Sequence, residues 1–191
     1  MSRALIADPY LPRKAAAGEA DDIVPCLRCL NCTDNDNANR HFICSVNPLL
    51  AREHRLGFGS DKCAAASKKR VLIVGGGPAG MQAAITASER GHDVLLVEKS
   101  DNLGGLLRFA DADGIKQDLR KFKDYLVRKL SSSAVRVLYN AEVTDDLIES
   151  FRPDNILIAT GSCPVTPDFI KGYENARHAS TVYFDISSER S

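Results

Sequence analysis

Tryptophan is absent from this 191-residue chain, aromatic residues supply only 6% of it, and acidic and basic residues cancel at 25 each. With 44% hydrophobic residues it can bury one ordinary core and a smaller appendage. The zero net charge removes any global field that would recruit nucleic acid or an anionic membrane, and the short basic run Lys68-Lys69-Arg70 reads as a solvated face. No apolar run approaches the roughly 18 residues of a membrane span, and "MSRALIADPY" lacks the apolar core of a secretory signal. A cytoplasmic location is the expectation. Internal repeats and low-complexity tracts are also lacking, and no residue set reads as an acid, base or nucleophile. Asp111 and Asp113 fall in a helix-start region, and His92 begins a strand.

Cysteine is not scarce. Of six, Cys26, Cys29 and Cys32 stand three apart and Cys44 follows a polar loop, while Cys63 and Cys163 are left over and read as structural. In a reducing compartment such crowding favours metal binding over a disulfide framework. Zinc usually takes its four ligands as two separated pairs. A cubane iron–sulfur cluster presents several metal corners that a C-x-x-C-x-x-C run can reach, with a remote cysteine closing the fourth. The three-plus-one spacing favours the cluster, with zinc as the alternative. The C-x-x-x-C-P ending of bacterial ferredoxin runs is missing, although Pro48 follows Cys44 in "CSVNP". His41 could replace a ligand but reads more simply as a solvated loop residue.

Before residue 66 strand pattern is sparse. A helix is predicted to start near Pro9-Tyr10-Leu11, and a Gly/Ser/Ala-containing connector follows the cysteines. From Arg70 the pattern changes. "RVLIVG" and "HDVLLVEKS" are short apolar runs of the buried parallel-strand type, and "PAGMQAAITASERG" is a helix with Pro78 at its start and Gly91 as its stop. Ile115, Leu119, Phe122, Leu126 and Leu130 recur at helical spacing and predict an amphipathic helix over "GIKQDLRKFKDYLVRKLSSS". "VRVLYNAEVT" and "NILIATGS" read as two more strands, with "DDLIESFR" a short helix between them. The alternation predicts an α/β fold with a parallel, doubly wound, Rossmann-like sheet. After Ser162 the pattern fades without a closing element.

Between the first strand and the first long helix lies "GGGPAG", which carries G-x-G-x-x-G as Gly75, Gly77 and Gly80. The first glycine permits a tight turn, the second lets backbone approach a pyrophosphate, and the third allows close helix packing. Pro78 and Ala79 open the helix whose free N–H groups face the anion. Glu98, 21 residues beyond Gly77, ends the second strand where a carboxylate would bind adenosine ribose, and Lys99 follows it. Strand, fingerprint, helix, strand and acid in this order predict dinucleotide binding.

The succession "RALIADPYLPRKAAAGEADDIVPCLRCLNC", "CSVNP", "RVLIVGGGPAGMQAA", "HDVLLVEKSDNLGG" and "NILIATGS" resembles the C-terminal part of the old yellow enzyme-related iron–sulfur flavoproteins. That group includes 2,4-dienoyl-CoA reductase, trimethylamine dehydrogenase and NADH:flavin oxidoreductases. The match runs from Arg3 to about Pro167. It implies a four-iron four-sulfur cluster on Cys26, Cys29, Cys32 and Cys44. It also implies FAD, or only ADP, on Gly75, Gly77, Gly80, Glu98, Gly104, Gly105 and Gly161, with Ala159 and Thr160 leading into the last turn. Val143 matches a position whose backbone contacts adenine, and Arg3 one near the phosphate of FMN.

By resemblance, residues 1–24 are the last helix of a TIM barrel, 25–69 the cluster segment and linker, 70–167 the FAD-binding unit, and 168–191 a connector toward an NAD(P)H domain. A barrel takes about 250 residues, so the barrel with its FMN and substrate site, and the NAD(P)H domain, lie outside this chain, as same-chain domains or separate subunits. The implied function passes electrons from NAD(P)H through FAD and the cluster to FMN, for reduction of an activated C=C bond or oxidation of a small amine. The alternative is a free-standing dinucleotide- and metal-binding electron-transfer or redox-sensing subunit. No nucleic-acid or membrane partner is expected, and the substrate is a small molecule.

Overall fold

A computed structural model describes residues 2–37, 41–56, 64–112, 114–165, 167 and 169–188. Its first part is built of short helices: α1 (Ser2–Ala7), α2 (Leu11–Ala16), a single turn at Ala20–Asp22, α3 (Asn31–Asn37) and α4 (Glu53–Leu56). The expected helix near Leu11 is α2, with Pro12 in its first turn, where a missing N–H costs nothing. Helix α1 carries no sequence signal of its own, and it stops at Ala7 because Asp8 precedes Pro9 and is pushed out of helical geometry.

Asp8 organises this part. Its side chain is 2% exposed; Oδ1 accepts from Tyr10 N at 3.0 Å, and Oδ2 from Lys14 Nζ at 2.7 Å and Val24 N at 2.9 Å. Lys14 Nζ also donates to the carbonyl of Asp22 at 2.8 Å. A buried carboxylate persists only when paired and hydrogen-bonded, and these partners lock α2 against the backbone that leads into Cys26.

The second part follows the predicted alternation. It comprises β1 (Arg70–Val74), α5 (Pro78–Glu89), β2 (Asp93–Val97), a turn at Gly105–Arg108, α6 (Phe109–Ala112), α7 (Gln117–Ser131), β3 (Arg136–Leu138), α8 (Asp145–Phe151) and β4 (Asn155–Ile158). The four strands are parallel in the order β3-β2-β1-β4. Gly91 (φ +89°) ends α5 as expected, and α8 is capped by Thr144, whose hydroxyl accepts from Leu147 N at 3.3 Å.

Successive β1 side chains enter opposite cores. Ile73 packs with Met81, Ala84, Leu96, Leu126 and Leu130 under α5 and α7, whereas Leu72 packs with Val97 and Phe151 under α8. Helix α7 also holds the first part: Lys129 pairs with Asp22 at 2.9 Å, and Arg28, between Cys26 and Cys29, with Asp118 at 2.5 Å. Tyr125 on α7 is pushed up to about 12, by burial first and then by the charges of Asp8 and Asp22.

Two expectations need correction. Ile115 does not join the α7 stripe: the helix begins at Gln117, and Ile115 lies in the preceding turn, 89% exposed. The fading tail does contain elements, a turn at Tyr173–Asn175 and α9 (Ala179–Ser188), which lies against α6. The apolar β4 is not buried, since Ile156, Leu157 and Ile158 are all exposed. Cys63 and Asp113 lie outside the described residues. No described helix is long and apolar enough to cross a membrane.

Asp8→Ala leaves Lys14 and two backbone N–H groups without their buried acceptor. We expect a loss of roughly 3–5 kcal/mol in chemical denaturation, far above the effect of an exposed substitution such as Asp101→Ala.

Candidate functional site

The strand register builds the site. Val74 is level with Val97 on β2 and with Ile158 on β4, so Gly75, Glu98 and Ala159 emerge side by side at the C-terminal edge of the sheet. Gly75 (φ +105°) makes the turn, its N–H donating to the Val97 carbonyl at 2.8 Å, and a Cβ there would meet the Ala159 carbonyl oxygen at 2.5 Å. A Cβ on Gly80 would overlap the carbonyl oxygen of Gly75, which is the tight helix-to-turn contact expected of the third glycine. At Gly77 nothing lies within 4 Å of a Cβ position, leaving the backbone open to a ligand. The first intrahelical bond of α5 runs from Met81 N to the Gly77 carbonyl at 2.9 Å; Pro78 has no N–H, and those of Ala79 and Gly80 have no acceptor within the helix.

Glu98 is 8% exposed. Its Oε2 accepts from Gly76 N at 2.6 Å, and Oε1 from the N–H and hydroxyl of Ser100 at 2.9 and 2.8 Å. Burial alone would push its pKa up. Hydrogen bonds from Ser100 and Gly76, with the charge of Lys99, outweigh that cost and hold it below the ordinary glutamate value. Beyond β3 the chain reverses at Asn140 (φ +52°), and Ala141 N donates to the Glu98 carbonyl at 3.1 Å. The result is a cavity of about 300 Å³ lined by Val74, Gly75, Val97, Glu98, Lys99, Ala141, Glu142, Val143 and Thr160.

The "LGG" turn joins the same edge. Gly104 (φ +113°) donates its N–H to the Gly76 carbonyl at 2.9 Å, and a Cβ on Gly105 would stand 3.0 Å from the Gly77 Cα. Gly161 (φ +77°) turns the chain beyond Ala159 and Thr160. The residues expected at the FAD or ADP thus lie along one edge, and Arg3, expected near the phosphate of FMN, lies elsewhere. Arg3 sits on α1, where its charge acts on Cys29.

All four crowded cysteines are free thiols, as is exposed Cys163, which is not packed as a structural residue would be. Left-handed Arg28 (φ +54°) and Leu30 (φ +62°) turn the chain between the first three cysteines. The arm carrying Cys44 lies against that run through its neighbour Ser45, whose Oγ is 3.3 Å from Cys29 Sγ. Asn47 fastens the arm to α1 by donating to the Ile6 carbonyl at 2.9 Å. Among the described residues no three Cys, His, Asp or Glu converge to hold a single ion. The donors that the four crowded cysteines offer are all sulfur, which is the ligand chemistry of thiolate-held iron–sulfur clusters and of cysteine zinc sites alike. The Cys29 thiol is pushed up by burial. Ser45, the backbone N–H groups of Asn31 and Cys29, and Arg3 more than offset this and leave its pKa lowered.

The residues set aside on sequence have structural partners. His92 Nδ1 accepts from Lys69 N at 3.2 Å, and Asp111 pairs with Lys123 of α7 at 2.5 Å. His41 lines a second cavity of about 470 Å³ with Phe42, Arg52, His54 and Arg55. Sequence reasoning missed Gly76, where a Cβ would meet Leu103 Cδ2 at 2.5 Å and Glu98 Oε2 at 3.0 Å. The middle glycine of "GGG", which the fingerprint spacing leaves unassigned, was the available signal. It also missed Ser100, Ala141, Glu142 and Ser45, which only the fold brings to the site.

Known proteins resemble this chain in sequence and in fold. A family profile described as FAD dependent oxidoreductase matches residues 70–110. Over 176 residues the chain is 44% identical to an NADH oxidase of Thermoanaerobacter brockii, covering 91% of this chain and 26% of that protein. It is 38% identical over 191 residues to a multifunctional alkene reductase/demethylase OYE of Caballeronia cordobensis, covering 99% and 26%. A solved structure of 2-naphthoyl-CoA reductase with 2-naphthoyl-CoA matches with a TM-score of 0.84 at 35% identity, covering 99% of this chain and 28% of that one. The chain therefore spans about a quarter of the length of the curated relatives it matches. Along nearly all of its length, in sequence and in fold, it belongs to the FAD oxidoreductase family of old yellow enzyme and trimethylamine dehydrogenase type.

Proposed function

We propose that this chain is the cofactor-holding part of an NAD(P)H-dependent flavin oxidoreductase. It binds the ADP moiety of FAD at the C-terminal sheet edge and a four-iron four-sulfur cluster on Cys26, Cys29, Cys32 and Cys44. The observation that carries the reading is the row of Gly75, Glu98 and Ala159, with Gly77 open and Gly80 closed against the turn. Ala79 and Gly80 N–H groups would receive the pyrophosphate, Glu98 the ribose, and the Ala141–Val143 backbone the adenine, with Gly104, Gly105 and Gly161 framing the rest. When bound, the flavin supplies hydride acceptance and single-electron release; the chain supplies orientation and electrostatics.

In the same proposal, residues 1–24 end a barrel that carries FMN, with Arg3 toward its phosphate, 25–69 hold the cluster, 70–167 hold FAD, and 168–191 lead to an NAD(P)H domain. The exposed apolar β4 and the sulfur set beside α1 are what a relay within a larger protein would present. The similarity to an NADH oxidase and to an alkene reductase/demethylase supports an NADH-type donor and the reduction of a C=C bond or oxidation of a small amine by the whole enzyme.

Anaerobic purification followed by iron, acid-labile sulfide and flavin assays tests the assignment. Four irons, four sulfides and one adenine-containing flavin or ADP per chain are expected; stoichiometric zinc without labile sulfide would sink the cluster. Cys29→Ser should lose the cluster and keep the nucleotide, and loss of both together contradicts two separable sites.

Gly77→Ala places a methyl group in open space, so stability should change by no more than about 0.5 kcal/mol while FAD affinity falls about tenfold or more. Gly80→Ala should cost roughly 1–3 kcal/mol even without FAD. Thermal melts and FAD titrations on both variants separate the two duties.

Because folding lowers the Glu98 pKa, the ionised carboxylate contributes stability above the ordinary value of about 4.3, and that contribution disappears as pH falls through the folded value. Glu98→Gln should flatten the acid side of the Tm profile; an unchanged acid slope would show that Glu98 does not govern it.

A further inference from the structure

Ser45 follows Cys44, yet its hydroxyl is directed across the loop. Its Oγ lies 3.3 Å from Cys29 Sγ and 3.2 Å from Asn31 Nδ2. The amide Nδ2 can only donate, so toward Asn31 the hydroxyl oxygen acts as acceptor. Its single hydrogen is then available for the sulfur, and a ligating thiolate, having no hydrogen, can only accept. With Cys29 as a ligating thiolate, the order of donation runs from Asn31 Nδ2–H to Ser45 Oγ and from Ser45 O–H to Cys29 Sγ. The other two thiols of the run are served differently, Cys26 by Arg28 N at 3.5 Å and Cys32 by its neighbour Thr33 Oγ1 at 3.9 Å. Only the Cys29 contact joins the two arms of the loop among these three.

We propose that Ser45, oriented by Asn31, is a potential-setting and positioning residue for the metal centre, acting on it through the Cys29 thiolate. The proposal rests on the cluster assignment made above. One-electron reduction of an iron–sulfur cluster adds one negative charge with no bond made or broken, and part of that charge resides on the cysteine sulfurs. A hydrogen-bond donor aimed at one of those sulfurs stabilises the reduced form more than the oxidised form and raises the reduction potential. The same contact draws the Cys44 arm against the Cys29 arm, so Ser45 serves both position and potential. Asn31 matters because an acceptor in its place would compete for the hydroxyl hydrogen.

The experiment is an EPR-monitored redox titration of the anaerobically purified protein, with iron, labile sulfide and flavin measured in each sample. Ser45→Ala should lower the cluster potential with iron and flavin content unchanged. Ser45→Thr, which keeps the hydroxyl, should restore the parental value, and Asn31→Leu, which removes the orienting donor without adding charge, should lower it in the direction of Ser45→Ala. Equal potentials in the parent and Ser45→Ala overturn the proposal, as does a Ser45→Thr value shifted as far as the alanine variant. If Ser45→Ala does not retain iron, Asn31→Leu decides, a lowered potential supporting the proposal and an unmoved one overturning it. A parent with no labile sulfide overturns the cluster assignment itself, together with the role built on it; a cluster with an unmoved potential overturns only the role of Ser45.

Discussion

Gly80 lies so close to the carbonyl of Gly75 that a methyl group in its place would occupy the volume of the oxygen. That single backbone contact sets where α5 begins relative to the end of β1. The position of Gly77, the free N–H groups behind Pro78, and the packing of Met81 and Ala84 onto Ile73 all follow from it. The register then does the rest: with Val74 level with Val97 and Ile158, the turn after β1 has no choice but to face Glu98 on one side and Ala159 on the other. A dinucleotide cradle here is the shape that a parallel sheet takes when its central strand ends in small residues, rather than a loop added to the fold.

Helix α7 connects this cradle to the sulfur-bearing loop. Its inward face fills the main core with Leu126 and Leu130, Lys123 lies against Gly104 at the nucleotide edge, and its Asp118 and Lys129 pair with Arg28 and Asp22 of the first part. The ion pairs are partly exposed and individually weak. Their value lies in number and in the buried Asp8–Lys14 pair behind them, which fixes residues 22–24 before the cysteine run starts. A helix shared by both parts holds them at a constant separation without a large interface, which is what the proposed relay between flavin and cluster would need.

The sequence was readable wherever the cause of structure is local. β1, β2 and α5 are apolar runs and helix signals bounded by glycines, and the fingerprint glycines act within six residues of each other, so the turn at Gly75 and the close packing at Gly80 could be assigned in advance. Legibility ends where a residue answers to a distant partner. Gly76 is required by Glu98 and Leu103, Ser100 by the second carboxylate oxygen, and Ser45 by a thiol in another arm; none of these pairings leaves a spacing to recognise. Ile115 obeyed helical period and still fell outside α7, because period alone does not say where a helix starts. β4 has the composition of a buried strand and is exposed, because composition records what a strand is suited to pack against and not which residues cover it.

Glu98 shows why folding and binding cannot be separated cleanly at this edge. Its two oxygens already accept three hydrogen bonds, from Gly76 and twice from Ser100, and a carboxylate has about four acceptor positions. One position remains for a ligand donor such as a ribose hydroxyl. The carboxylate is therefore ionised and oriented before any nucleotide arrives, and the desolvation cost of burying it is met by protein N–H and O–H groups within the fold. A ligand gains from this because no reorganisation is left to carry out on binding. The same three bonds make the acid a brace for the glycine turn, so removing it would disturb the turn together with the proposed ribose contact. Gly77, with open space where its side chain would be, carries no such structural duty, which makes it the position where the demand of the ligand is expressed alone.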